Sequence, residues 1–160
     1  LDDGDVNKAV TFALAGRCAN SGQVCFSPKR FIIHKNHYEA FRKGLIDGLS
    51  KIPFGDPMQE TTRMGPLARP DLAESLSQQL KSLPKSYKIT WQRTEMKAPF
   101  FPITVIEGSD EPWDGSSLAQ FSSSSESRMM LMQSDWQTAE AMAWEDQSSA
   151  LPEESKLSTR

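Results

Sequence analysis

Between Arg30 and Ile52 the sequence changes its period once. RFIIHK, residues 30–35, is short and β-branched, which predicts a strand. Directly after it, Tyr38, Phe41, Leu45, Leu49 and Ile52 recur at three- and four-residue spacing, so they share one face of a helix. A strand running straight into an amphipathic helix can bury both apolar faces only by folding the helix back on a sheet. The rest of the chain keeps this alternation. Val6, Ala9, Val10, Ala13 and Leu14 predict a first helix over 5–17, with Asp2, Asp3 and Asp5 at its positive end and Asn20 and Gly22 at its stop. Asn36 is expected to cap the second helix, and Pro53, Gly55 and Pro57 to end it. Pro66 and Pro70 bracket a loop, after which Asp71 is expected to cap a third helix through Leu72, Leu76 and Leu80, closing before Pro84. YKITW (87–91) and FFPITVIEG (100–108) read as two further strands. Helices alternating with strands predict an α/β layer fold.

The 160 residues suffice for one modest domain. A net charge of −3 with scattered Lys and Arg offers no footprint for nucleic acid or an anionic membrane. No apolar run has the length needed to cross a bilayer and no signal peptide is visible, so the expected setting is cytoplasmic. No grouping of Cys and His has zinc spacing, and no metal is expected. His34 and His37 read as surface residues at a strand end and a helix start. No glycine-rich phosphate loop is present.

Two cysteines do not make a disulfide framework. On one continuous helix, Cys18 and Cys25 would lie roughly 10 Å apart, too far for a bridge. Cys18 falls inside the first helical pattern and reads as packing. Cys25 follows the glycine where that helix stops, in NSGQVCFSPKR (20–30). Residue type alone favours a packing role. The context permits a nucleophile: a place at the end of an element, with Lys29 and Arg30 close in sequence, suits a reactive thiolate.

The stretch DDGDVNKAVTFALAGRCANSGQVCFSPKRFIIHKNHYEAF (2–41) resembles the aldehyde dehydrogenase superfamily around its active-site cysteine. The matching pieces are the helix over 5–17, the Asn-x-Gly-Gln-x-Cys element ending at Cys25, Arg30, Gly55-Asp56-Pro57 and Met64-Gly65-Pro66-Leu67. MGPLARPDLAESL (64–76) looks most like bacterial succinate-semialdehyde dehydrogenase-type members. The match runs from Leu1 to about Asp114. The resemblance implies a partial catalytic domain of three-layer αβα type, and the start at Leu1, in mid-pattern, reads as a fragment.

The resemblance also implies the chemistry. Cys25 would attack an aldehyde carbonyl to give a thiohemiacetal. Hydride transfer to NAD or NADP would leave a thioester, and water would release the acid. The Cys25 backbone N–H would be one oxyanion donor. The family's second donor, its general base and its nucleotide-binding domain lie upstream of the residues matched here, so no cofactor is expected to bind this fragment and no cofactor-binding residue is assigned. The family partner is a small aldehyde, and its members form homo-oligomers. Two other readings stand beside an enzyme fragment: a non-catalytic remnant or interaction protein that keeps part of the fold, and a thiol-only activity.

Beyond FFPITVIEGSDEPWD the resemblance stops. Residues 115–160 are rich in Ser, Gln, Glu and Met, and such a composition predicts a disordered tail. The genetic code gives a reason. With suitable codons, Gly115–Ser122 read from the last base of the Gly115 codon yields Glu-Leu-Phe-Gly-Pro-Val-Phe, the family's next segment. In the same phase Met129–Thr138 can yield Asp-Asp-Ala-Asp-Ala-Ile-Arg-Leu-Ala-Asn, and Ala141–Gln147 can yield Gly-Tyr-Gly-Leu-Gly-Gly. The tail is therefore expected to be translated out of frame from near Asp114.

Overall fold

The computed structural model describes residues 3–93, 99–108 and 127–133. Helix α1 spans Val6–Cys18, and the Asp5 side chain caps it by accepting from the amides of Asn7 and Lys8 at 3.0 and 3.1 Å. Strand β1 spans Arg30–His34 and passes straight into α2, Lys35–Lys51. The α2 cap is His34, whose Nδ1 accepts from the Asn36 amide, and not Asn36 itself. An imidazole nitrogen two residues earlier does what the Asn36 carboxamide was expected to do. Helix α3, Pro70–Lys81, likewise starts earlier than its expected cap. Pro70 occupies the first turn, where its missing N–H costs nothing, and Asp71 pairs with Arg69 at 3.2 Å. Strands β2 (Tyr87–Gln92), β3 (Thr104–Gly108) and β4 (Ser127–Gln133) complete the described elements. Of the expected strand over 100–108, only the second half is extended pairing. Pro102 can donate no ladder bond, and Phe101 and Ile103 are buried as loop anchors instead.

The sheet order is β1-β4-β3-β2, and every neighbouring pair is antiparallel. β4 therefore lies between β1 and β3, with Ile32 opposite Met129 and Ile106 opposite Leu131. The expectation of a tail without structure does not extend to these seven residues. The other residues of the tail lie outside those described. A central slot asks chiefly for backbone N–H and C=O groups. Ser127–Gln133 contains no proline and has the apolar run Met129–Met132, so it can supply them without the β-branched residues that sequence reading looks for.

Successive residues of β3 point to opposite faces. Val105 packs with Ala13, Tyr38, Phe41, Leu45 and Leu49, so α1 and α2 cover one face. Ile106 packs with Tyr87, Leu80 and Leu83, which brings α3 and its exit to the other. This gives three layers, αβα, as expected. Leu67, Leu72, Ala73, Leu76 and Phe101 form a second cluster under α3. Arg93 closes α2 by donating to the carbonyls of Leu49 and Ile52 at 3.1 and 2.8 Å, two of the acceptors that a helix end leaves open.

Candidate active site

Helix α1 ends at Cys18, and the expected stop at Asn20 and Gly22 falls in the turn that follows. The helix gives way at Ala19 to a single 3-10 turn over Ala19–Gly22. Asn20 and Ser21 there have φ of 46° and 59°, and Gly22 has 78°. Three successive left-handed residues reverse the chain sharply. Asparagine tolerates that region and glycine enters it freely, whereas serine is strained there. Ser21 is held by its side chain, whose Oγ donates to the Gly65 carbonyl at 2.9 Å.

The next turn carries the thiol. The Ser27 amide donates to the Val24 carbonyl at 3.0 Å, which leaves Cys25 and Phe26 at its two central positions. Cys25 is exposed and Cys18 is buried. Among the described residues no hydrogen bond uses the Cys25 N–H. Burial pushes the Cys18 thiol up to about 11, against a smaller opposing pull from the Arg17 charge. Thus Cys18 lies in the core, as its place in the helical stripe predicted.

Gln23 ties this turn to a segment more than forty residues away. Its Nε2 donates to the carbonyls of Asn20 and Pro66 at 3.1 and 3.4 Å, and its Oε1 accepts from the Ala68 amide at 2.8 Å. The two segments singled out in the sequence, Asn20–Cys25 and Met64–Leu67, are thereby brought together. Gly55-Asp56-Pro57 joins them. Asp56 Oδ1 accepts from the Met58 amide at 2.9 Å, Gly55 N–H donates to the Met64 carbonyl at 3.1 Å, and Pro57 lies beside Gly65. A cavity of about 770 Å³ lies among the three, lined by residues that include Asn20, Gln23, Pro57, Arg63 and Pro66. Cys25 is not among its lining residues; it stands on the adjoining turn. Sequence reading named Gln23 as part of a motif but assigned it no task. Arg17 and Ser27, described below, carried no signal beyond their types.

The described residues do not fit a dinucleotide cradle. Such a cradle uses free amides at a helix start after a parallel strand. Here the described sheet is wholly antiparallel, the Asp5 side chain occupies the Asn7 and Lys8 amides at the start of α1, and α3 opens on a proline. The described residues also hold no group of three or more His, Cys, Asp or Glu able to bind a metal. The rings of His34 and His37 stand 6.3 Å apart at the β1–α2 junction. No helix among the described residues is long and apolar enough to cross a membrane.

Comparison with known proteins agrees with this arrangement. The aldehyde dehydrogenase family model matches residues 1–111. The chain is 36% identical over 109 residues to succinate semialdehyde dehydrogenase [NAD(P)+] of Escherichia coli K12, covering 66% of this chain and 24% of that protein. It is 43% identical over 76 residues to sulfoacetaldehyde dehydrogenase of Neptuniibacter caesariensis, covering 48% and 17%. It superposes on the crystal structure of lactaldehyde dehydrogenase from Escherichia coli with a TM-score of 0.62 at 27% identity, covering 69% of this chain and 24% of the other. The chain thus spans about a quarter or less of the length of these relatives. With the family match over more than half its length, and with the three matching segments gathered at one site, the chain belongs to the aldehyde dehydrogenase family.

Proposed function

We propose that the chain is part of an NAD(P)-dependent aldehyde dehydrogenase in which Cys25 is the nucleophile, and that these 160 residues alone do not turn over aldehydes. The observation that carries this reading is the contrast between the two thiols. Cys25 is exposed on a hydrogen-bonded turn at the end of the family motif, whereas Cys18 is buried. The Cys25 thiolate would add to the carbonyl carbon of an aldehyde, and the oxygen would take up the charge. The Cys25 N–H, which no described acceptor engages, would meet that oxyanion. The oxidation itself belongs to a nicotinamide cofactor held by parts of the whole protein outside these residues. Similarity to a succinate semialdehyde and a sulfoacetaldehyde dehydrogenase favours a short aldehyde with an anionic end. The cytoplasm is the expected location, and self-assembly would follow the family. The same reading takes residues 115–160 as translated out of frame, which the flanking genomic DNA tests directly.

The functional test is limited alkylation of the folded chain near neutral pH with peptide mapping, run beside an assay for aldehyde-dependent NADH or NADPH formation. Cys25 should be modified first and Cys18 spared, with no cofactor reduction. Preferential labelling of Cys18 would refute the nucleophile assignment. Turnover abolished by Cys25→Ser would refute the claim of inactivity.

A further inference from the structure

We propose that Arg17 and Ser27 are positioning residues for Cys25, acting as a latch that fixes the thiol's turn to the end of α1. This inference rests on the reading of Cys25 as the nucleophile. Arg17 lies in the last turn of α1, and its side chain is almost wholly buried. Its Nη1 donates to Ser27 Oγ at 3.0 Å, and Ser27 Oγ in turn donates to the Arg17 carbonyl at 3.3 Å. Ser27 is buried as well, and its amide closes the turn onto Val24. One small residue therefore holds both the turn and the helix end. The next residue completes the clamp, since Pro28 packs against Gly16 so closely that an added Cβ there would meet Pro28 Cδ at 3.3 Å.

The pair is costly as a fold element. Burying a guanidinium forfeits its hydration, and burial here lowers Arg17 to about 10, with the Cys18 charge working weakly the other way. A cation in the last turn is favourable toward the helix dipole, but a surface Lys or Arg would serve that end without desolvation. What the buried guanidinium adds is direction. Its Nη1 holds Ser27 against the helix end from a rigid planar group, a fixed direction that a flexible ammonium would not give. Gln23 secures the segment before Cys25 to the Pro66–Ala68 backbone, and the latch secures the segment after it. The thiol thus stands between two anchors, on a turn that is itself exposed. Fixing a nucleophile in this way lowers the entropy lost in reaching an attacking geometry.

The test uses the full chain with a nitroxide attached to Cys25, Cys18 remaining unlabelled in the core. Ser27→Ala should raise the mobile fraction of the label's spectrum roughly fivefold, the worth of one net hydrogen bond. Arg17→Lys should act in the same direction, and the double variant should go little further than either single one. Ser27→Thr, which keeps the hydroxyl, should restore the native spectrum. Cys18 should stay unreactive in Ser27→Ala and Ser27→Thr, which shows the core intact. An unchanged spectrum in Ser27→Ala, or strictly additive effects, overturns the latch. Exposure of Cys18 in Ser27→Ala shows that the pair serves the fold alone, which also overturns the positioning role. The nucleophile assignment is read separately, from the alkylation rates of the unmutated chain. A restricted label on a Cys25 that alkylates no faster than Cys18 would refute that assignment and leave the pair a structural clamp.

Discussion

Glu107 ties the α2 layer to the sheet. It sits on β3, and Arg42 Nε on α2 donates to its Oε1 at 2.5 Å. Burial pushes its carboxyl up, but hydrogen bonds from Arg42, Thr90 and Tyr38, with the Arg42 charge, together hold it below the usual carboxylate range. The bond to Glu107 in turn raises Arg42. A carboxyl with a depressed folded pKa stabilises the fold fully above its unfolded value, and that contribution is lost as pH falls through the folded one. Glu107→Gln should therefore cost about 1–2 kcal/mol at neutral pH and should flatten the loss of stability on acidification below about pH 4. Urea titrations of both proteins at neutral and acid pH measure this; equal pH slopes would refute it. At the alkaline end the sign reverses for Cys18. Its folded value of about 11 exceeds its ordinary 9.0, so the stability it contributes is present below 9 and is lost as pH rises toward 11.

The α1–α2 pair shows how close approach is built from glycine. Gly44 and Gly48 stand where α2 meets α1, and a Cβ added at Gly48 would overlap Leu14 Cδ1, with Leu14 Cγ at 3.2 Å. In an exposed helix, Gly→Ala gains about 1 kcal/mol of propensity. At Gly48 overpacking costs about 1–3 kcal/mol, and Leu14 packs on the core cluster, so it cannot simply swing away. Gly48→Ala should lower the melting temperature, and Leu14→Ala in the same chain should make that substitution neutral or stabilising. A purely additive double variant would sink the contact. The stripe that places these helices was legible. Tyr38, Phe41, Leu45 and Leu49 are all buried, because a helix packed on one face leaves its period in the sequence. Ala9 was read into the α1 stripe and is exposed, since a small apolar residue is tolerated on either face. The caps were less legible. His34 does the work expected of Asn36, because several residue types satisfy the same open amides, whereas α3 opens on Pro70 without a side-chain cap and Asp71 falls inside its first turn. The site was half legible. The Cys25 motif stood out, but Ser21, Gln23, Arg17 and Ser27 act across ten to forty-five positions, and local spacing carries no trace of such pairs.

In the described sheet, β4 is the strand that joins β1 to β3. β1 pairs with β4 and with no other described strand, while β3 is held on both sides, by β2 and β4. The composition of 115–160 predicts a tail without order after Asp114. The sheet topology makes a different demand of 127–133. If these residues are removed, the β1 amides lose their partners and the backbone of β3 is left open on one side. The β2–β3 hairpin keeps its own ladder, and α1 and α2 keep their mutual packing. A chain ending at Asp114 should therefore lose amide protection selectively. Exchange at Phe31–His34 should rise at least roughly tenfold, since losing ladder bonds worth about 1 kcal/mol each compounds along the strand. Protection within β2 and along Leu45–Leu49 should fall less. Exchange that is identical in the full and shortened chains would show that β4 contributes nothing to the sheet, and would return the whole of 115–160 to the role of passenger. A selective loss at β1 would mean that a segment not selected for this place fills it by backbone alone. Substituting Leu131→Pro in the full chain, which removes one ladder donor without shortening anything, should reproduce the same pattern of exchange.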